Sequence, residues 1–409
     1  MKKFYMMVLC CFVLAFSTGV HGFEMRSQQV YADGFSIQLQ LPESLQLEFV
    51  AALQAPRFIT TGPDGELLIG SRGQRIYRFP YPYGGGETLV AGLGSYIHST
   101  AYRQGRLYAA DTAALYSAPY LGAATQLDAG DFQQVTPIPS ATGGHSSRTI
   151  VRGPDNRLYL GLGLSGNCSE DEYLSNNNTF EKRRGGVFVL GADNSLEPFA
   201  SGLRNPIGLA FHPQTDQLYA TNAGPDNLGY YQPPEILARL SAGSFHGMPW
   251  FQYYNGAFRS GQCTGTPPPL PASRAVVPSA MFDPRSTPEG IVFLHDSILG
   301  DRHGGSALVA IHGSWATKPG QGRESRRPPK VVLVEFEGGS PKAVNDVVTG
   351  FQRADGSRFA RPCGVAIGAD GNIYFTSDGG EVEGLFRLVP TSSTRRSIPS
   401  VYGLLLDKP

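Results

Sequence analysis

The chain is 409 residues long and carries 34 Lys and Arg against 34 Asp and Glu, a formal net charge of zero, with charged side chains only 17% of the whole. Such a surface lacks the basic stripe on which nucleic-acid affinity rests, so nucleic acid is not an expected partner. The 51 glycines and 31 prolines show neither the period of collagen nor the charge imbalance of disorder, and 41% hydrophobic residues supply a real core, so a globular, mostly β protein is expected.

Lys2 and Lys3 precede an apolar run at about 6–16, and Val20, His21 and Gly22 lead into polar text, so residues 1–22 read as a secretory signal peptide. The run is too short to span a bilayer, and no later stretch approaches the roughly 18 uninterrupted apolar residues a spanning helix needs. The expected product is periplasmic or secreted, without stable membrane insertion, and residues 23–409 form a single domain.

After the leader, residues 30–53 alternate partly at period 2 and read as strands. Six segments then share one pattern, a turn followed by a short apolar strand and a small-residue loop. They lie at 62–79, 103–120, 153–167, 212–227, 304–315 and 368–389. Asp-Gly, Asp-Asn and Thr-Asp pairs flanked by β-rich text predict hairpins, and helical periodicity is hard to find. Their early spacing suits four-stranded blades of about 40 to 50 residues, and the longer later intervals imply insertions. The expected fold is therefore all-β, a six-bladed β-propeller with long inter-strand loops, with 30–53 helping to close the ring. The longest interval holds an elaborated loop at about 241–288, where Pro267, Pro268, Pro269 and Pro271 favour extended backbone.

Outside the leader there are three cysteines, an odd number for an oxidising compartment. Cys168 and Cys263 sit in polar, glycine-containing loops and are the expected pair. Cys363 opens an apolar strand, where a buried thiol is ordinary.

Three clusters carry candidate chemistry. His145, behind two glycines in a loop that opens a repeat, reads as a general base or as a turn histidine bonded to backbone. Arg204 precedes Asn205-Pro206, whose extended backbone aims the side chain, although a surface ion pair is the plainer reading. Gly224 and Pro225 form a bend whose carbonyls suit a hard cation, or a plain turn.

In this order, His145 before GPDNRLY, then LRNPIGLAFHP, then AGPDN, the clusters resemble the soluble quinoprotein sugar dehydrogenases of the glucose/sorbosone dehydrogenase family. HGSW at 312–315 and RPCGVAIGADGNIYFTSDGG at 361–380 resemble its sorbosone-dehydrogenase-like branch, and the likeness covers about 56–389. The resemblance implies an exported oxidoreductase that passes hydride from an aldose or related sugar to pyrroloquinoline quinone (PQQ). A soluble electron acceptor, such as a cytochrome or quinone, then takes the electrons. It makes His145 the base and Arg204 the group that polarises the quinone carbonyl. Asn205 hydrogen-bonds the cofactor, Arg361, His312 and Trp315 line its site, and the carbonyls of Gly224 and Pro225 ligate calcium. Where glucose-type members place a cofactor-gripping lysine the chain reads AIHGSWATKPG, leaving Lys318, Arg323, Arg326 or Arg327 to substitute. Two other readings of such a wheel are a calcium-dependent lactone hydrolase, with Asn205, Asp226 and Asp378 as ligands, and a non-catalytic binding module.

Overall fold

The computed structural model describes residues 22–139, 145–170 and 184–391. Nearly all of the expected signal peptide, and residues 171–183 of the segment that follows Ser165, lie outside the described residues.

The strands group into four-stranded antiparallel runs. The first holds Pro56–Thr61, Leu67–Ser71, Arg75–Phe79 and Glu87–Ala91. The second holds Ile97–Arg103, Arg106–Asp111, Ala114–Pro119 and Gln133–Pro137, and is joined to the first by one pairing, Ser71 with Ile97. The third comprises Arg148–Arg152, Leu158–Leu162, Gly186–Leu190 and Leu196–Ser201, and the fourth Pro206–Phe211, Leu218–Asn222, Glu235–Leu240 and Ala280–Phe282. The fifth is Pro288–Phe293, Ala307–Ile311, Lys330–Glu337 and Ser340–Val348. In the sixth, Pro362–Ile367, Ile373–Asp378 and Glu383–Pro390 are completed by Leu45–Ala52 from the far N-terminal side. Part of the 30–53 stretch thus closes the assembly as expected. The other early strands, Met25–Ala32 and Phe35–Pro42, pair with each other, and Val30, Leu39 and Leu41 pack under the fifth and sixth sheets.

Each of the six sequence repeats contains the second strand of one run. Those strands are buried along all or nearly all of their length, as in Leu67–Ser71 and Leu158–Leu162, because a neighbouring sheet covers each face. An outer strand such as Ser340–Val348 alternates exposed and half-buried residues for most of its length.

The first strands neighbour one another in sequence, and the last, Pro362–Ile367, returns to Pro56–Thr61, so the sheets form a closed, propeller-like ring. Hydroxyls stitch neighbouring sheets at the hub. Ser99 Oγ donates to Arg148 O at 2.9 Å, Thr221 Oγ1 to Glu289 O at 2.6 Å, and Thr376 Oγ1 to Arg57 O at 2.6 Å. The sheets approach so closely there that a Cβ on Gly208 would lie 2.1 Å from Glu289 O, and one on Gly364 2.6 Å from Arg57 O. Glycine is the residue that lets backbone meet backbone at these points.

The 241–288 stretch is ordered against this frame. Ser244–Phe245 adds parallel to Leu196–Ser201, Phe251–Tyr254 and Ala257–Ser260 form a small hairpin, and Phe245, Trp250, Phe251 and Ala275 make its own core. Cys168 and Cys263 form the expected disulfide, tying this loop to the segment after Ser165, and Cys363 is a buried free thiol. Among the described residues no helix is long and apolar enough to cross a membrane.

Candidate active site

The local sequence of the first strands builds the site. Four of them open with proline, at Pro56, Pro206, Pro288 and Pro362, where a missing N–H costs no ladder bond. A register shift follows each proline, and such bulges turn the next side chains toward the hub. Arg57, Ile207, Glu289 and Cys363 follow these prolines and are all buried.

One half of the site lies between the third and fourth sheets. Arg204 N and Asn205 N each donate to Asn222 Oδ1 at 3.0 Å, and Leu164 N donates to Arg204 O at 2.8 Å, which fixes the turn before Pro206. His145 joins the same point, since its Nδ1 donates to Leu164 O at 2.7 Å. The backbone bond therefore exists, as the plainer reading had it. It also fixes the tautomer, leaving Nε2 as the lone-pair nitrogen with no partner among the described residues. Burial, and then the Arg204 guanidinium, lower the His145 pKa from 6.5 to about 4, so the ring is neutral near pH 7. Asn205 faces it: a Cβ on Gly163 would lie 2.6 Å from both Asn205 Oδ1 and His145 Cβ. Asn205 Oδ1 is buried and unpartnered.

Arg204 is buried and forked. Its Nη2 donates to Asn167 Oδ1 and Asp226 Oδ2, both at 2.9 Å, and its Nε to Asn167 O at 3.1 Å. Asn167 Oδ1 also accepts Asp226 N at 2.8 Å, and Asn167 adjoins the disulfide. Arg148, from the same segment as His145, has a different role: its side chain is wholly buried and donates to the carbonyls of Thr112, His145, Ser147 and Pro139, holding the loop.

The Gly224-Pro225 bend sits over Glu235, which accepts from Gly224 N and, at 2.9 Å, from Arg285 N. Burial pushes the Glu235 carboxyl up to about 7, against the pull of the Gly224 N–H, Arg204 and Arg285. The Pro225 carbonyl accepts from Arg285 Nη1 at 3.2 Å, and the same guanidinium pairs with Asp226. A hard cation requires a set of oxygen ligands. Of the two carbonyls assigned to calcium, that of Pro225 instead faces a guanidinium, and among the described residues no cluster of three acidic, His or Cys side chains exists beside it to complete a ligand set. The donor set at this bend does not fit calcium.

The other half lies between the fifth and sixth sheets. His312 Nε2 donates to Asp378 Oδ1 at 2.5 Å, while His312 Nδ1 accepts from Arg361 Nη2 at 2.8 Å, so both ring nitrogens are engaged. Asp378 is also paired with Arg57 and Arg72. Burial alone would raise its carboxyl, but Arg57, His312 and Arg72 hold it well below the usual carboxylate range. Arg57 Nη2 meets Glu289 at 2.9 Å, and Arg57 reaches His98, whose Nε2 lies 3.0 Å from Thr149 Oγ1. Above this network Trp315 is 70% exposed, with Arg361, Arg326 and Arg358 at 4.7, 5.3 and 5.7 Å from its ring centre. Burial, then Arg361 and Arg326, lower the Arg358 pKa to about 10, and its Nη1 is buried without a partner.

Of the four cations considered in place of a lysine, Arg326 reaches this aromatic, whereas Arg327 stacks on Tyr230 and Arg323 pairs with Asp355 at the surface. An exposed indole ringed by guanidinium groups, with an unpartnered amide oxygen in the neighbouring half, fits a flat aromatic polyanion such as PQQ.

Sequence reasoning missed Arg57, Glu289, Arg285 and Arg358. The prolines that open their strands, Pro56 and Pro288, mark the first two. The others lie in irregular loops, and nothing local distinguishes them.

The glucose/sorbosone dehydrogenase family model matches residues 109–313. Similar solved structures include the PQQ domain of a pyranose dehydrogenase from Coprinopsis cinerea in its holo form, 20% identical with a TM-score of 0.67 over 86% of this chain and 97% of that one. The soluble aldose sugar dehydrogenase of Escherichia coli, in apo form, is 17% identical with a TM-score of 0.61 over 85% and 100%. A calcium structure of a family AA12 carbohydrate-active enzyme from Trichoderma reesei is 19% identical with a TM-score of 0.68 over 86% and 96%. At these identities the likeness shows the fold. An uncharacterized protein of Borreliella burgdorferi is 24% identical over 88% of this chain and 93% of its own length. With a family model spanning half its length, and with His145, Arg204 and Asn205 gathered at one end of a closed ring of sheets, the chain belongs to the glucose/sorbosone dehydrogenase family.

Proposed function

We propose that the chain is an exported quinoprotein that oxidises an aldose or related sugar, with its sheets forming six blades and PQQ held over the hub. The observation that carries this reading is the state of the three histidines in the two clusters described above. His98 and His312 have both ring nitrogens engaged, whereas His145 keeps Nε2 free, neutral and next to Arg204. PQQ, when bound, supplies the electron sink for a hydride.

The chain's own residues do the rest. His145 Nε2 takes the proton of the sugar hydroxyl, and its Nδ1–H, locked on Leu164 O, keeps the ring aimed as it does so. Arg204 places a fixed positive charge where negative charge develops, and its fork to Asn167 and Asp226 holds it there with no reorganisation during the reaction. Asn205 offers its free amide oxygen to a donor on the bound molecules. Arg361, Arg358 and Arg326, around Trp315, take carboxylates and an aromatic face.

The lactone-hydrolase reading needs free carboxylates. Asp226 is bridged by Arg204 and Arg285, and Asp378 by Arg57 and Arg72, which leaves neither open to a metal. The test is to titrate purified protein with PQQ, follow the quinone absorbance, and assay dye reduction with aldoses. Saturable binding with sugar-dependent reduction is expected, and His145→Ala should keep the binding and lose the turnover. Failure of PQQ to bind at any concentration refutes the reading, and unchanged turnover in His145→Ala removes the base assignment.

A further inference from the structure

We infer that Arg285 supplies, from within the chain, the positive charge that a divalent cation would otherwise bring to the Gly224-Pro225 bend, so that this site takes its anionic cofactor without calcium. The inference rests on the quinoprotein reading for the identity of that cofactor. Its evidence is the way the bend is filled. Arg285 Nη1 donates to the Pro225 carbonyl at 3.2 Å and also to Asp226, whose other oxygen accepts from Arg204 Nη2 at 2.9 Å. One carboxylate therefore lies between two guanidinium groups, and the outer one sits on the carbonyl.

The arginine is built in, not draped over the surface. Its side chain is 14% exposed, against 62% for the Asp226 it pairs with. Its backbone N–H is tied to Glu235 Oε1 at 2.9 Å, and the other oxygen of Glu235 accepts from Gly224 N, so one buried carboxylate sets both the guanidinium and the bend. Arg285 adopts a φ of +69°, a left-handed conformation that a long side chain enters only where its surroundings impose it. Its Nε is buried without a partner, a donor left for an incoming acceptor. A guanidinium is a donor-only cation of fixed charge, and it serves an anionic ligand where a calcium ion would need, besides the Gly224 carbonyl, the Pro225 and Asp226 oxygens that Arg285 has already engaged.

The test uses the full-length protein stripped with EDTA. It is titrated with PQQ in EDTA and again in millimolar calcium, and its melting temperature is measured with and without calcium chloride alone. Wild-type affinity in EDTA should lie within about twofold of that in calcium, and calcium should leave the wild-type melting temperature unchanged. Arg285→Ala should lose about tenfold or more in PQQ affinity in EDTA, the size of one charge-assisted contact, and recover it in calcium. Its melting temperature should rise with calcium. Arg285→Lys keeps the charge and should stay indifferent to calcium. Arg285→Gln serves if the alanine variant does not fold.

PQQ binding that appears in the wild type only when calcium is added overturns the inference and leaves the quinoprotein reading standing. PQQ binding under neither condition overturns the quinoprotein reading. The melting measurements then decide the cation question alone: a calcium response confined to the Arg285 variants that remove the charge supports the inference, and one in the wild type refutes it.

Discussion

His145 is the group whose behaviour can be foretold most closely. An ordinary histidine, with a pKa of 6.5, is about one-quarter protonated at pH 7, whereas one at about 4 is protonated roughly once in a thousand molecules. The difference corresponds to about 3 kcal/mol between the two protonation states, set by burial first and by Arg204 second. Because the folded value lies below the unfolded one, this contribution to stability is complete above pH 6.5 and is lost as the pH falls toward 4. The perturbation is therefore acid, and the assay is a proton NMR titration of the His145 ring, assigned by comparison with His145→Gln. The ring should remain neutral to below pH 5, and kcat/KM should hold a plateau above about pH 5 with its acid limb near 4. Arg204→Gln should move the titration upward, since a neighbouring positive charge is gone. A His145 ring that titrates at 6.5 or above in the folded apoprotein refutes both the burial and the charge coupling.

Other substitutions probe the rest of the site. Arg204→Lys should lower kcat about a hundredfold with little change in melting temperature, since a point charge cannot hold Asn167 and Asp226 in one plane; steady-state kinetics decide this, and an unchanged kcat removes the assigned role. Replacing Cys168 and Cys263 together by serine opens a closure spanning 95 residues, so the melting temperature should fall by the equivalent of up to about 4 kcal/mol, and cofactor affinity should drop as Asn167 loosens from Arg204. Unchanged affinity in that variant separates the disulfide from the site. Asp378→Asn strands the buried Arg57 and His312, and urea unfolding should show a loss of about 3 to 5 kcal/mol; a loss below 1 kcal/mol contradicts the network. Trp315→Ala removes an exposed side chain, so stability should hold while PQQ affinity falls about tenfold, measured by the same absorbance titration.

The sequence made some of this legible and hid the rest for physical reasons. Short-range grammar carried the hairpins: a turn pair and an apolar strand lie within a few residues of each other, and all six marked the second strand of a sheet. The Cys168–Cys263 pair was readable because both residues stand in polar loop text. His145, Arg204 and Asn205 stand out in the sequence because a turn and a proline announce them, and the structure brings the three together. Arg57 and Asp378 are 321 positions apart, and their contact exists only because the last sheet returns to the first. Arg285 meets Pro225 across 60 positions that include strands of the fourth sheet and the small hairpin, and that contact is equally invisible locally. Pairings that depend on ring closure leave no local trace, although the prolines that open the first strands mark where such residues stand.

A crystal structure of the protein grown or soaked with PQQ bears most directly on the spatial claim. The account predicts density at the hub in contact with Arg204, Asn205 and Arg361, beside His145 Nε2. Density elsewhere on the ring, or a hub closed to the molecule at saturating concentration, contradicts it.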